Sequence, residues 1–200
     1  RRGKPATHIK YGEASAVLAG SSLLTLAFEI ITDKKYSLNS KLKNKIVSSL
    51  AGCAGHTGIA GGQELDLKYE NKNKKLNQII NMQKKKTGKL FNFCLYAVGE
   101  VANKSSKEKI FLSNLGEEIG LLFQLADDFL DIKGSKKLVG KLVKKDIKKG
   151  KSTLLNLMGD KKAYKYAYKL KKKILRKLKK HGKKAQDLIN TIEFILGRNF

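Results

Sequence analysis

The chain has 200 residues, which is one ordinary domain or part of a larger one, and its apolar share of 41% excludes a disordered polymer. Its formal charge of +26 is uneven: residues 133–200 hold 23 Lys/Arg against 4 Asp/Glu, a net of +19, and residues 1–132 a net of +7. Such a field attracts polyanions such as nucleic acid, acidic lipid or phosphorylated small molecules, but nearly all of it is Lys, which suits solvated helix faces better than bidentate recognition.

Pro5 is the only proline, so no proline breaks a helix beyond it. Apolar residues recur at helical spacing over roughly 12–32, with Ala14, Val17, Leu18, Leu24, Ala27 and Ile31. The same pattern predicts helices over about 40–60, 75–100, 106–132, 152–180 and 184–197. Gly61-Gly62-Gln63-Glu64-Leu65-Asp66 reads as the end of the second, and Lys86-Thr87-Gly88 as an interruption of the third. Strand alternation is nowhere sustained, and the breaks are short and polar. The expectation is a single all-α domain, a helical bundle with short connections. Residues 133–151 depart from this pattern: Gly134, Gly140 and Gly150 punctuate a lysine-rich stretch that reads as a functional loop. Cys53 and Cys94 lack metal-ligand spacing and read as small buried hydrophobes in a reducing compartment. No uninterrupted apolar run reaches about 18 residues, so no membrane span is expected. The start, Arg1-Arg2-Gly3, has no initiating Met and reads as that of a fragment or a processed chain.

Asp127, Asp128 and Asp131 lie at the end of the otherwise apolar fourth helix. Asp127 and Asp131 are four apart and share a face, where like charges repel. A cation between them would offset that repulsion. Mg²⁺ is bound in this way, by one or two carboxylates with water and phosphate completing an octahedron. The alternative is a solvated acidic helix end, although acidic groups there oppose the macrodipole. Lysines beside glycines, at Lys86-Thr87-Gly88, Gly140-Lys141 and Gly150-Lys151-Ser152-Thr153, let an ammonium and backbone N–H groups meet a phosphate together. The last of these resembles the tail of a P-loop. Lys145 stands where the first glycine of that motif is needed, and no strand precedes it, so a nucleotide-binding loop is rejected.

In order along the chain, these motifs resemble those of trans-isoprenyl diphosphate synthases of the farnesyl and geranylgeranyl type. Arg1 to His8 resembles the segment that follows the family's first aspartate-rich motif, and Tyr11-Gly12-Glu13-Ala14 and Leu18-Ala19-Gly20 continue it. Gly61-Gly62-Gln63 with Asp66, then Lys86-Thr87-Gly88, follow in family order. Phe123-Gln124 with Asp127, Asp128 and Asp131 is similar to the second aspartate-rich motif. Gly140-Lys141, Asp146 and Gly150-Lys151-Ser152-Thr153 close the series. The resemblance implies the isoprenoid synthase fold, with helices around a central cavity, and a cytoplasmic homodimer. It also implies three Mg²⁺ ions and head-to-tail condensation of isopentenyl diphosphate onto dimethylallyl, geranyl or farnesyl diphosphate.

By position, Arg1 is similar to the arginine that contacts the allylic diphosphate, and Arg2 to the one that contacts isopentenyl diphosphate. Lys86, Thr87, Gln124 and Lys141 match allylic-diphosphate contacts, and Lys151 joins the substrate-binding set. Lys86, Asp127 and Lys141 form the implied catalytic set. Asp127 matches a metal ligand, with Asp131 reached through water.

The chain departs from the family in three places. The resemblance puts the first aspartate-rich motif just before Arg1, so these 200 residues, as the C-terminal two-thirds of a synthase, are expected to be nearly inactive alone. Ser21 stands where the family often has Asp, and Lys144 where it often has Gly. Three rivals have less support: a non-catalytic subunit of the same fold, a terpene cyclase, and a basic helical nucleic-acid binder. Tyr164, Tyr166 and Tyr168 fall two apart among lysines, which on a helix spreads them over different faces instead of forming a stacking patch.

Overall fold

A computed structural model describes residues 4–138 and 153–197, with the side chains of all of these except 132–138. The chain divides into two compact units, residues 1–48 and 49–200.

The first unit holds α1 (Thr7–Tyr11), α2 (Glu13–Thr32) and the start of α3 (Ser40–Ala54). Gly12 takes a φ of 85°, which L side chains resist, and both closes α1 and opens α2. Its N–H donates to the His8 carbonyl at 3.1 Å, and its own carbonyl accepts from the Ala16 N–H at 3.2 Å. At the other end of α2 the ammonium of Lys43 donates to the carbonyls of Asp33 at 2.7 Å and Thr32 at 3.2 Å. A cation there satisfies groups that the helix leaves open and complements its dipole.

Helix α2 is long and apolar enough, by length and composition, to cross a membrane, and none of it is buried. The expectation of no candidate span rested on uninterrupted apolar runs, and Gly20, Ser21, Ser22 and Thr25 interrupt this one. Two of those hydroxyls are turned into the helix itself. Ser21 Oγ donates to the Val17 carbonyl at 3.2 Å and Thr25 Oγ1 to the Ser22 carbonyl at 2.9 Å, which lowers the polarity that the helix presents. Core helices of soluble proteins pass the same test of length and composition.

The second unit runs α4 (Ile59–Tyr69), α5 (Leu76–Gln83), a π-helical turn (Lys84–Gly88), α6 (Lys89–Val101) and α7 (Ser106–Leu138). It continues with α8 (Leu154–Met158), α9 (Asp160–Lys179), a 3₁₀ turn (Gly182–Ala185) and α10 (Gln186–Gly197). No strand occurs among the described residues. Cys53 is buried as expected, whereas Cys94 is exposed. Helix α7 starts at a capping box: the Glu108 carboxylate accepts from the Ser105 N–H at 3.0 Å, and the Ser105 hydroxyl accepts from the Glu108 N–H.

Helix α7 is the centre of the core. Leu115, Ile119, Leu122 and Ala126 follow a 4-3-4 spacing, with Leu121 and Leu125 on the adjoining face, and all six are buried. Helix α9 adds Ala163, Ala167, Leu170, Ile174 and Leu178, and α10 adds Ile189, Ile192 and Ile195. Burial of each such Leu or Ile contributes about 1.5–3 kcal/mol. On α9, Lys173 and Lys177 reach across to Glu118 of α7 at 2.9 and 2.7 Å. The three tyrosines separate as their spacing requires. Tyr164 meets Phe129 edge-on, Tyr166 packs against the core, and Tyr168 lies under the Lys172 ammonium.

The π turn lies close on α7 at Gly120. A Cβ added there would stand 2.6 Å from the Gly88 Cα, a backbone atom with nowhere to go. Gly120→Ala should therefore destabilise the fold by about 1–3 kcal/mol. Thermal unfolding should read this as a drop of several degrees in Tm, and an unchanged Tm would contradict the close approach.

Four of the predicted helices differ from expectation. The second predicted helix is two: α3 stops at Ala54, and Gly61 to Asp66 lie inside α4, not at a helix end. Lys86-Thr87-Gly88 does not interrupt the third helix but forms its π turn. The fourth continues to Leu138, six residues past its predicted end, because nothing in Ile132 to Leu138 stops a helix as proline would. The fifth breaks at Gly159, with a φ of 75° between α8 and α9.

Candidate active site

A π turn holds one residue more than an α turn, and such turns inside α-helices occur often at functional sites. Here the turn sends consecutive side chains to different neighbours. The Lys86 ammonium meets the Asp66 carboxylate of α4 at 2.5 Å, and the Thr87 hydroxyl donates to Gln124 Oε1 of α7 at 2.8 Å. Helix α4 comes so near because Gly62 has no side chain: an added Cβ would collide with the Lys86 backbone nitrogen.

From Thr87 a polar strip runs along α7. Gln124 Nε2 donates to Asp128 Oδ1 at 2.9 Å, and Gln83 Nε2, the last residue before the π turn, donates to Asp128 Oδ2 at 3.4 Å. A carboxylate can only accept and a hydroxyl can donate, so this order sets the orientation of the Gln124 amide. The strip contains one unmet group. Gln83 is 3% exposed, and its Oε1 has no hydrogen-bond partner among the described residues.

The three aspartates sit in different surroundings. Asp131 is exposed and Asp127 is half-buried, and both stand on α7 one turn apart. Burial pushes the Asp128 carboxyl up to about 6 from an ordinary 3.8. The hydrogen bond from Gln124 opposes that rise, and the charges of Asp131 and Asp127 add to it. Both oxygens of Asp128 are engaged by amides, so among the three aspartates the candidates for holding a cation are Asp127 and Asp131.

The sign of the pH effect follows. Between about pH 4 and 6 the folded protein keeps a proton on Asp128 that the unfolded chain has lost, so stability falls as pH rises through that window. The loss attributable to Asp128 is about 2–3 kcal/mol. Urea unfolding of the metal-free protein at pH 4 and pH 7 should show it as a difference from Asp128→Asn, which has no proton to lose. Identical pH slopes in the two proteins would contradict it.

Of the residues expected from sequence, Lys86, Thr87 and Gln124 come together around the π turn, with Asp127 and Asp131 further along α7. Arg1, Arg2, Lys141 and Lys151 lie outside the described residues. Gln83 and the amide-binding role of Asp128 were not anticipated. The Gln124–Asp128 spacing of four was a usable signal, whereas Gln83 sits in an ordinary helical stretch and has none. Among the described residues no three His, Cys, Asp or Glu side chains gather into a metal site. The pair Asp127 and Asp131 nevertheless fits Mg²⁺, which takes one or two carboxylates and completes its shell with phosphate and water.

These elements define an all-α protein in which a basic, hydroxyl-bearing π turn faces an aspartate-rich helix. The chain belongs to the polyprenyl synthetase family, whose model matches residues 1–192. It is 38% identical to the farnesyl diphosphate synthase of Bacillus subtilis over 165 residues, 80% of this chain and 56% of that one. It thus spans little more than half the length of that relative. Its fold is similar to the apo FPP/GFPP synthase of Zymomonas mobilis, with a TM-score of 0.83 and 34% identity, covering 98% of this chain and 65% of the other. The geranyltransferase of Helicobacter pylori, complexed with magnesium and isoprenyl diphosphate, gives a TM-score of 0.81 at 30% identity, covering 98% and 64%.

Proposed function

We propose that this chain is part of a head-to-tail prenyltransferase that condenses isopentenyl diphosphate with an allylic diphosphate to give farnesyl or geranylgeranyl diphosphate. One juxtaposition carries the reading. Lys86 and Thr87, cation and hydroxyl on one π turn, stand beside Gln124, one turn from the acidic face of α7. Support comes from the similarity to a geranyltransferase that is complexed with magnesium and isoprenyl diphosphate.

In this reading Asp127 and, through water, Asp131 would hold Mg²⁺, within a complete site of three ions. Mg²⁺, when bound, neutralises charge developing on the leaving diphosphate. The C1–O bond of the allylic substrate breaks, and its electron pair leaves with the diphosphate. Lys86 exchanges Asp66 for a phosphate oxygen and, with Lys141, stabilises that negative charge. The Thr87 hydroxyl turns from Gln124 to the diphosphate, and the second Gln124 amide hydrogen is available to it. The double bond of isopentenyl diphosphate then forms the new C–C bond to the allylic cation, and a proton passes to the released diphosphate. Arg1 contacts the allylic diphosphate, Arg2 contacts isopentenyl diphosphate, and Lys151 adds to substrate binding. The protein acts as a cytoplasmic homodimer.

The test is an assay of the full-length protein with isopentenyl and geranyl diphosphates. The expected product is one isoprene unit longer, with release of inorganic diphosphate that EDTA stops. A folded full-length protein that forms no such product would overturn the reading.

A further inference from the structure

Gln83 is almost wholly buried, yet its Oε1 has no hydrogen-bond partner among the described residues. Its neighbours Ile79 and Met82 are buried and apolar, so a side chain chosen for packing alone would carry no amide here. A buried acceptor left without a partner is a cost that native cores rarely keep. The other half of the amide is used, as the Nε2 donates to Asp128 Oδ2.

That bond has consequences along the strip. It holds one oxygen of Asp128, which leaves the other directed at Gln124 Nε2 at 2.9 Å. Gln124 is then fixed with Oε1 toward the Thr87 hydroxyl, at 2.8 Å. Gln83 is also the residue from which the π turn departs, so the same residue anchors the backbone that carries Lys86 and Thr87.

We infer that Gln83 is a positioning residue for diphosphate binding, which acts through Asp128 to hold Gln124 in its binding orientation. Asp128 then serves as a relay between amides and not as a metal ligand, although it lies within the aspartate-rich motif. The inference rests on the diphosphate reading above. It adds to that reading a residue that touches neither substrate nor metal.

The test is calorimetric titration of the full-length protein with inorganic diphosphate at fixed MgCl₂, together with thermal unfolding. Gln83→Met keeps the volume and removes the amide, including its unmet acceptor. If Gln83 were merely structural, Gln83→Met would be as stable as wild type or more so and would bind equally well. As a positioning residue it should keep its Tm and bind about tenfold more weakly, the scale of one lost hydrogen bond. Asp128→Ala should lose about as much, and adding Gln83→Met to it should cost nothing further. Asp128→Asn should recover most of the loss. Its Oδ1 still accepts from Gln124, and its Nδ2 can donate to a turned-over Gln83 amide. Wild-type affinity in Gln83→Met, or a double variant about a hundredfold weaker, would overturn the positioning role alone. A wild-type protein that binds no diphosphate with Mg²⁺ would overturn the diphosphate reading and this inference with it.

Discussion

Asp127→Ala is expected to lower turnover on the order of 10³-fold while leaving the fold intact. The half-buried Asp127 takes no part in the core, which its neighbours Leu125 and Ala126 on α7 supply. Its charge repels those of Asp128 and Asp131, and like pairs on a helix are mildly destabilising. Removal should therefore leave Tm level or slightly raised. Asp128 would feel one negative neighbour fewer, so its carboxyl should titrate lower than about 6. The rate should fall because two carboxylates one turn apart are suited to holding a divalent cation against a diphosphate. Asp131→Ala, on the exposed turn beyond, should cost less, since its role is through water. Steady-state kinetics over a range of Mg²⁺, with circular dichroism and Tm on the same samples, checks this. An alanine variant with wild-type turnover would remove Asp127 from the metal site.

Much of the site could be read from sequence because its chemistry is written in residue types. Lysine beside glycine and aspartates one turn apart signal phosphate and metal whatever the helix boundaries are. The parts that could not be read depend on packing. Gly61 and Gly62 read as a helix end because glycine usually marks one, yet they lie inside α4. Gly62 is there so that α4 can lie against the Lys86 backbone, a contact with a residue 24 positions away. The π turn replaced an expected break, because a one-residue insertion leaves every residue in the right-handed helical region and has no breaker to announce it. Asp128 was given no role in the sequence reading, because it lies off the face that Asp127 and Asp131 share. Its Gln83 partner comes from another helix, and no periodicity within α7 reveals that. Even the membrane-length character of α2 escaped a criterion based on unbroken apolar runs, since its hydroxyls bond back into the helix.

Lys86→Ala is expected to lower kcat/KM on the order of 10²–10³-fold, the scale of one charged donor lost from a leaving group in a low-dielectric site. It should also cost some stability, because Asp66 is only 14% exposed and would lose its ion-pair partner. The two effects separate in a second variant. Lys86→Ala combined with Asp66→Asn removes the stranded carboxylate, so Tm should return toward wild type while turnover stays low. Asp66→Asn alone should leave Lys86 less well directed but still cationic, with a much smaller loss of activity. That ordering follows from the geometry. Asp66 lies on α4 and holds the ammonium from one side, whereas the Gln124 side of the π turn, where Thr87 already points, is where the diphosphate is proposed to lie. If the double variant recovered turnover as well as Tm, Lys86 would be a structural cation tying α4 to the π turn, and the diphosphate would have to be held from elsewhere.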